Sequence, residues 1–246
     1  MKPFLLPLAA VLVLIPGCKH SFKTATYEDD LAMAVAEGSS DSLLFSIDLE
    51  YVTRGLPEEA MAKVNQTLAA MAFDQPEVQG SLEETAIQYR EQVIDEYLTE
   101  FSGGEAYEGA RSWEESIEGI FMADYNSLKN YALTYYSRIG SNLATSTVIY
   151  LVFDPKTGEL VPQDAFFREG WQEPVAELLR ASLRSSLEDN EEVLELIDWD
   201  SVVPNGNYYV ETEGMDWVFQ PYEVGAYVYT ILSAGASWEE LKPYLK

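Results

Sequence analysis

One thiol and one imidazole are available for chemistry in this chain, and both stand near its start. Cys18 ends an apolar run, Pro3-Phe-Leu-Leu-Pro-Leu-Ala-Ala-Val-Leu-Val-Leu-Ile15-Pro16-Gly17, that follows Lys2. A short positive n-region, an apolar stretch too short to span a bilayer and a small residue at the junction describe an export signal. A cysteine directly after that small residue marks a bacterial lipoprotein signal over residues 1–17, with Cys18 acylated as the new N-terminus. A secretory peptide with an incidental cysteine is the alternative. Lipidation would remove the thiol from the possible nucleophiles and hold the protein in the cell envelope, with Lys19 favouring the outer membrane. His20 then lies two residues from the anchor, so no Ser-His-Asp or Cys-His arrangement can form, and zinc sites of the His/Cys kind are excluded. There is no P-loop and no G-x-G-x-x-G after a strand. The chain is expected to be no enzyme and to need no cofactor or metal.

What remains for catalysis is a pair of carboxylates, as in glycoside hydrolysis, but acidic residues are too numerous for the sequence to single out a pair. Asp198-Trp199-Asp200 is the tightest doublet. It lacks the spacing and glycine of a calcium loop and reads as a loop around a core tryptophan.

Removing residues 1–17 takes out Lys2 alone among charged residues, leaving 14 basic against 42 acidic side chains, a balance of −28. That excess argues against nucleic acid, whose phosphates require Lys/Arg clusters, and against anionic headgroups beyond the lipid anchor. A cationic protein, a metal ion or a neutral glycan suits it better, while a solvated surface that only confers solubility is the plain alternative. Apolar residues at 47% and aromatics at 13% indicate a folded body rather than an acidic disordered tail.

The elements that would position any site follow from periodicity. Residues 18–41 read as a linker holding at most a short helix around Leu31–Ala36. Leu43, Phe45, Ile47, Leu49 and Tyr51 alternate with more polar neighbours as a half-buried strand. Pro57 opens a helix on Met61, Val64, Leu68 and Met71. Ser81 with Glu84 forms a capping box for a second helix through Ala86, Tyr89, Val93 and Tyr97. A similar pattern, Ser112 with Glu115, precedes a short segment to Phe121. Tyr131–Tyr136, Leu143–Phe153 and Glu159–Val161 read as strands of an antiparallel meander, with a proline- and glycine-containing turn at Asp154–Gly158. Pro174 opens a strong amphipathic helix on Val175, Leu178, Leu179, Leu183 and Leu187. Tyr208–Glu211, Met215–Phe219 and Val224–Leu232 read as further strands, and Ser237 with Glu240 caps a last short helix. The expected class is α+β: antiparallel sheets with amphipathic helices packed on one face, in two closely associated subdomains, 42–125 and 126–246.

The C-terminal half carries a recognisable series: the Phe153-Asp154-Pro-Lys-Thr-Gly158 turn, Leu160-Val-Pro-Gln-Asp-Ala-Phe166-Phe167, a long helix, then Phe219-Gln-Pro221-Tyr222-Glu223-Val-Gly-Ala-Tyr227. It resembles an exported bacterial family of unknown function whose domain also forms the extracytoplasmic part of RsiV-type anti-sigma factors. Ile47–Tyr51, the proline-started helix and Val64-Asn65 are similar to the small domain N-terminal in PdaC-type peptidoglycan deacetylases. The resemblance covers about 200 residues. Family members usually carry a Gly-Gly-Ala-His loop where this chain has Ser137-Arg138-Ile139-Gly140-Ser141-Asn142, so a role resting on that histidine does not transfer. The resemblance implies recognition of lysozyme by a non-catalytic module. Expected contact residues are Arg138, Gly140, Ser141 and Asn142 on the hairpin loop, with Pro221, Tyr222 and Tyr227 from the bend. The expected role is an envelope-anchored binding module for a cationic protein such as lysozyme or for peptidoglycan glycan. A structural or assembly lipoprotein binding an envelope protein is the alternative, and a carboxylate-based glycan hydrolase ranks last.

Overall fold

The computed structural model describes residues 21–34, 41–75, 78, 80–102, 112–140, 144–226, 228 and 230–246. Cys18, His20, Ser141, Asn142 and Tyr227 lie outside the described residues.

The larger of two sheets runs in chain order: β1 (Lys23–Ala34), β2 (Ser42–Arg54), β3 (Ser112–Phe121), β4 (Lys129–Ile139) and β5 (Thr145–Phe153). All neighbours are antiparallel except β2 and β3, which are parallel. A parallel return needs a long crossover, and α1 (Glu58–Ala72) with α2 (Leu82–Ser102) supplies it. Both helices cover one face. Leu43, Phe45, Ile47 and Leu49 of β2 are buried with Val64 and Leu68 of α1 and Ala86, Val93 and Tyr97 of α2, whereas Leu44 and Asp48 between them are exposed. The capping box forms as its sequence requires: the Ser81 N–H donates to the Glu84 carboxylate (2.8 Å) and the Glu84 N–H donates to Ser81 Oγ (3.2 Å).

The smaller sheet is an antiparallel meander of β6 (Tyr208–Val210), β7 (Gly214–Phe219) and β8 (Leu232–Ser237). With α3 (Gln172–Ser186) it encloses a second core containing Trp171, Leu179, Leu183, Trp217 and Phe219. Phe166 and Phe167 belong to that core's packing, and the Phe167 ring stacks on Trp171 with centroids 4.2 Å apart. Two short helices complete the chain, α4 (Glu191–Leu194) and α5 (Trp238–Leu241), the latter with the Ser237–Glu240 capping box formed. The turn at Asp154–Gly158 rests against α1. Gly158 has φ +71° and a Cβ there would collide with the Ala60 carbonyl oxygen, while Lys63 pairs with Glu159 at 2.7 Å. The class is α+β, with two sheets and two cores.

Five expectations change. Glu159–Val161 is not a strand of the meander but makes one isolated bridge, Leu160 opposite Phe153. Residues 23–34 are not linker or helix but strand β1, paired with β2 over its whole length. Its inward positions are Ala25, Tyr27, Asp29, Leu31 and Met33, and the acid in the middle disguises the alternation; Arg90 of α2 neutralises Asp29 through two contacts of 3.0 and 3.1 Å. Ser112–Phe121 is strand β3 rather than a capped segment, with the inward Glu115 bonded by Tyr89 of α2 and Trp113. The boundary placed at 125/126 falls between β3 and β4, which pair from Trp113–Ile139 to Phe121–Tyr131 within one sheet. Finally, the strand expected over 224–232 begins only at Leu232, because the preceding chain bonds to itself and to 198: Val228 N–H donates to Gly225 and Asp198 N–H donates to Val224.

Candidate functional site

The helices cover one face of the large sheet. On the other, the even-numbered residues of β1 and β3, those of β2 from Ser42 to Asp48 and those of β4 from Thr134 to Arg138 form a second surface, while Asn130 and Val152 further along are buried toward the second core. Strand register aligns them in rows. Glu28, Asp48 and Glu118 stand directly opposite one another across β1, β2 and β3, and Thr134 continues the row on β4. All three carboxylates are exposed, and no described cation pairs with any of them. The next row is Asp30, Ser46, Ser116 and Tyr136, and the one beyond it is Ala32, Leu44, Glu114 and Arg138. All of these but Arg138 line a hollow of about 550 Å³ beside the carboxylates. Side chains directly opposite in neighbouring strands lie about 4.5–5.5 Å apart at Cβ, and like charges so placed destabilise the sheet. The open face is therefore an acidic surface that folding alone does not favour.

The residues expected from sequence do not converge on one point. Arg138 stands on the open face, but its guanidinium is engaged by Glu114, with Tyr136 donating to the same carboxylate at 3.4 Å. That carboxylate raises the Arg138 pKa further. Gly140 closes the strand with φ +62°, its N–H donating to Ser112 at 2.6 Å. Pro221 and Tyr222 form a bend at the free edge of β5. The Gln220 side chain fastens the bend to Val148, accepting from its N–H (3.0 Å) and donating to its carbonyl (2.6 Å). Glu223 accepts from Gln220 N–H and from Asn205 Nδ2, both at 2.7 Å. Tyr222 is 53% exposed and left-handed at φ +68°, so its ring faces solvent and not the core. Asp198-Trp199-Asp200 is a local turn: Asp198 accepts from Asp200 N–H and Ser201 Oγ, and Trp199 lies under the Arg184 guanidinium.

A second acidic feature escaped the sequence reading. On the outer face of the small sheet Tyr209 pairs with Asp216, and Asp216 shares a hydrogen bond with Glu211. Burial and the neighbouring Glu211 charge push Asp216 up to about 6. The Tyr209 ring lies 4.8 Å from that of Tyr150 on β5, where the two sheets meet. The signal was present: a turn at 212–214 sets Tyr209, Glu211 and Asp216 on one face of the hairpin by alternation. Among the described residues no group of three or more His, Cys, Asp or Glu side chains could hold a metal, and no helix is long and apolar enough to cross a membrane.

Comparison with solved structures gives the same fold twice. A DUF3298 family member from Bacteroides fragilis superposes with a TM-score of 0.80 at 16% identity, covering 93% of this chain and 95% of that one. A DUF3298 family protein from Pseudomonas aeruginosa gives 0.68 at 12% identity, covering 92% and 95%. No curated protein matches the chain. Residues 164–235, which hold α3 and most of the small sheet, match the family model described as "Protein of unknown function (DUF3298)". The chain is thus similar in fold to DUF3298 proteins along nearly its whole length, and its second core carries that family's sequence pattern.

Proposed function

We propose that this protein is a non-catalytic, envelope-anchored binding module that receives a cationic protein on the open face of its large sheet. The observation that carries the reading is the Glu28–Asp48–Glu118 row, three exposed like charges in direct register without a described counter-ion. A formal charge of −27 would steer a basic partner toward that face and raise its association rate. The anchor rests on the Cys18 signal, and the choice of lysozyme as first candidate rests on the resemblance to the RsiV-type extracytoplasmic module.

The test is titration of lysozyme into the body, residues 19–246, over a salt series. Binding that weakens steeply as salt rises supports the reading. Binding indifferent to salt, or capture of an uncharged peptidoglycan fragment with no affinity for lysozyme, would overturn it.

A further inference from the structure

The large sheet has a long free edge. β1 runs for 12 residues, and β2 is its only partner among the described residues. None of its residues is fully buried, and it contains no proline or glycine that would interrupt pairing by another strand. Beside it lies a groove of about 890 Å³. One wall is Thr26, Tyr27 and Glu28, and the start of α2 with Ser81, Leu82 and Glu83 lines it as well. Tyr51 of β2 and Ala62, Asn65 and Gln66 of α1 add to the lining, so the groove lies on the helix-covered side of the sheet next to β1. The volume lies within the range of specific binding clefts, about 300–1,000 Å³. The wall is preset: Tyr27 donates to Asp29 at 3.2 Å, and Arg90 of α2 holds Asp29.

Charge identifies the occupant. Even positions of β1 put Glu28 and Asp30 on the open face next to Asp48 and Ser46, while Glu83 lies on the groove side. A second copy of the same edge would bring these acids against their own kind, which disfavours self-pairing. A basic strand would meet carboxylates on both of its faces. We infer that the free edge of β1 takes an extended basic segment of the partner as a sixth strand, its alternate side chains reaching the Glu28–Asp48 face and the Tyr27–Glu83 groove. This rests on the cationic-partner reading and adds the conformation and the address of the contact.

The experiment uses the body, residues 19–246, and a fluorescent octapeptide of alternating lysine and threonine, with two derivatives N-methylated at every second amide, on opposite edges of the peptide. A strand bonds to β1 through one edge only. The derivative methylated on that edge is expected to lose at least ten-fold in affinity, and the other to bind within about two-fold of the parent. Hydrogen exchange of residues 23–34 is expected to slow in the parent complex. Equal affinity of all three peptides with salt-sensitive binding retained would overturn strand addition while leaving the cationic-partner reading intact, as would equal loss by both derivatives or failure of the parent to bind a protein that still binds lysozyme. Failure of peptide and lysozyme alike would overturn the underlying reading as well.

Discussion

Asn130 of β4 holds both backbone groups of Val210 on β6. Its Oδ1 accepts from the Val210 N–H at 3.1 Å and its Nδ2 donates to the Val210 carbonyl at 2.7 Å, with a further donation to Ala123 at 2.7 Å. The side-chain amide does what an adjoining strand would do, and it joins the two sheets at a residue 1% exposed. Gln220 repeats the device at Val148 on the free edge of β5, and Asn207 bridges two residues there, accepting from the Tyr150 N–H and donating to the Val148 carbonyl. Asn65 of α1 repeats the device at Val52, accepting at 2.9 Å and donating at 2.8 Å.

Removal of a buried amide leaves its partners without water or protein to bond. Asn130→Ala is expected to lower stability by about 2–4 kcal/mol, and Asn130→Asp by more, because a buried carboxylate would face two carbonyl oxygens. Asn65→Ala, at a partly exposed site, is expected to lose only about 1 kcal/mol. Urea denaturation of the three variants checks the order. An Asn65 variant as damaged as the Asn130 variant would show that burial does not set these bonds' worth.

Asp216 ties stability to pH. Its carboxyl is raised from 3.8 to about 6 in the fold, so the folded state holds the proton more tightly than the unfolded chain. The contribution is fully present below about pH 4 and is lost as pH rises through about 6. Two units correspond to roughly 3 kcal/mol for a fully buried group, and the partial exposure of Asp216 reduces this to the order of 1 kcal/mol. Asp216→Asn is expected to be more stable than the parent by about that amount at pH 7.5 and equal to it near pH 4. Thermal melts at both values check this, at roughly 2–4 °C per kcal/mol for a chain of this size. A difference that does not change with pH would exclude the titration as its cause.

The same carboxylates explain what the sequence concealed. β2, β4, β5, α1 and α3 show unbroken apolar periods and were legible. β1 and β3 each place an acid at an inward position, Asp29 and Glu115, and both acids are met by consecutive residues of α2, Arg90 and Tyr89. Alternation fails at the position where a tertiary contact replaces burial, and only the folded α2 shows why the acid is tolerated. The open face was hidden for a related reason: Glu28, Asp48 and Glu118 lie far apart in the chain, and register alone brings them into one row. Tyr222 was legible as a residue of interest, but its exposure depends on a backbone bond to Val228 that no local pattern announces.

Asp48 is flanked by an acid on either side, so Asp48→Asn removes two repulsions at once. Each like-charged cross-strand pair costs roughly 0.2–1 kcal/mol. The variant is expected to gain about 0.5–1 kcal/mol at low salt, and to lose the advantage near 1 M salt, where the screening length is about 3 Å. Its association with lysozyme is expected to slow by a few-fold with little change in dissociation, since exposed charges act mainly on encounter. Stopped-flow binding beside urea denaturation reads both. A more stable variant that binds at the parental rate would remove this row from the docking surface.

Tyr222 tests whether strain is kept for exposure. A non-glycine residue at φ +68° costs roughly 1–2 kcal/mol, and this one shows more than half its surface to solvent. Its N–H donates to the Val228 carbonyl, so the backbone stays in place when the side chain changes. Tyr222→Gly relieves the strain and is expected to match or exceed the parent by up to about 1 kcal/mol, whereas Tyr222→Val is expected to fall below it by about 1–2 kcal/mol. Were the ring a core residue, the glycine variant would lose about 3 kcal/mol or more. If the ring is instead a contact for the partner, Tyr222→Gly binds lysozyme more weakly while its urea midpoint holds or rises. A glycine variant that unfolds early, or one that binds as the parent does, removes Tyr222 from the interface.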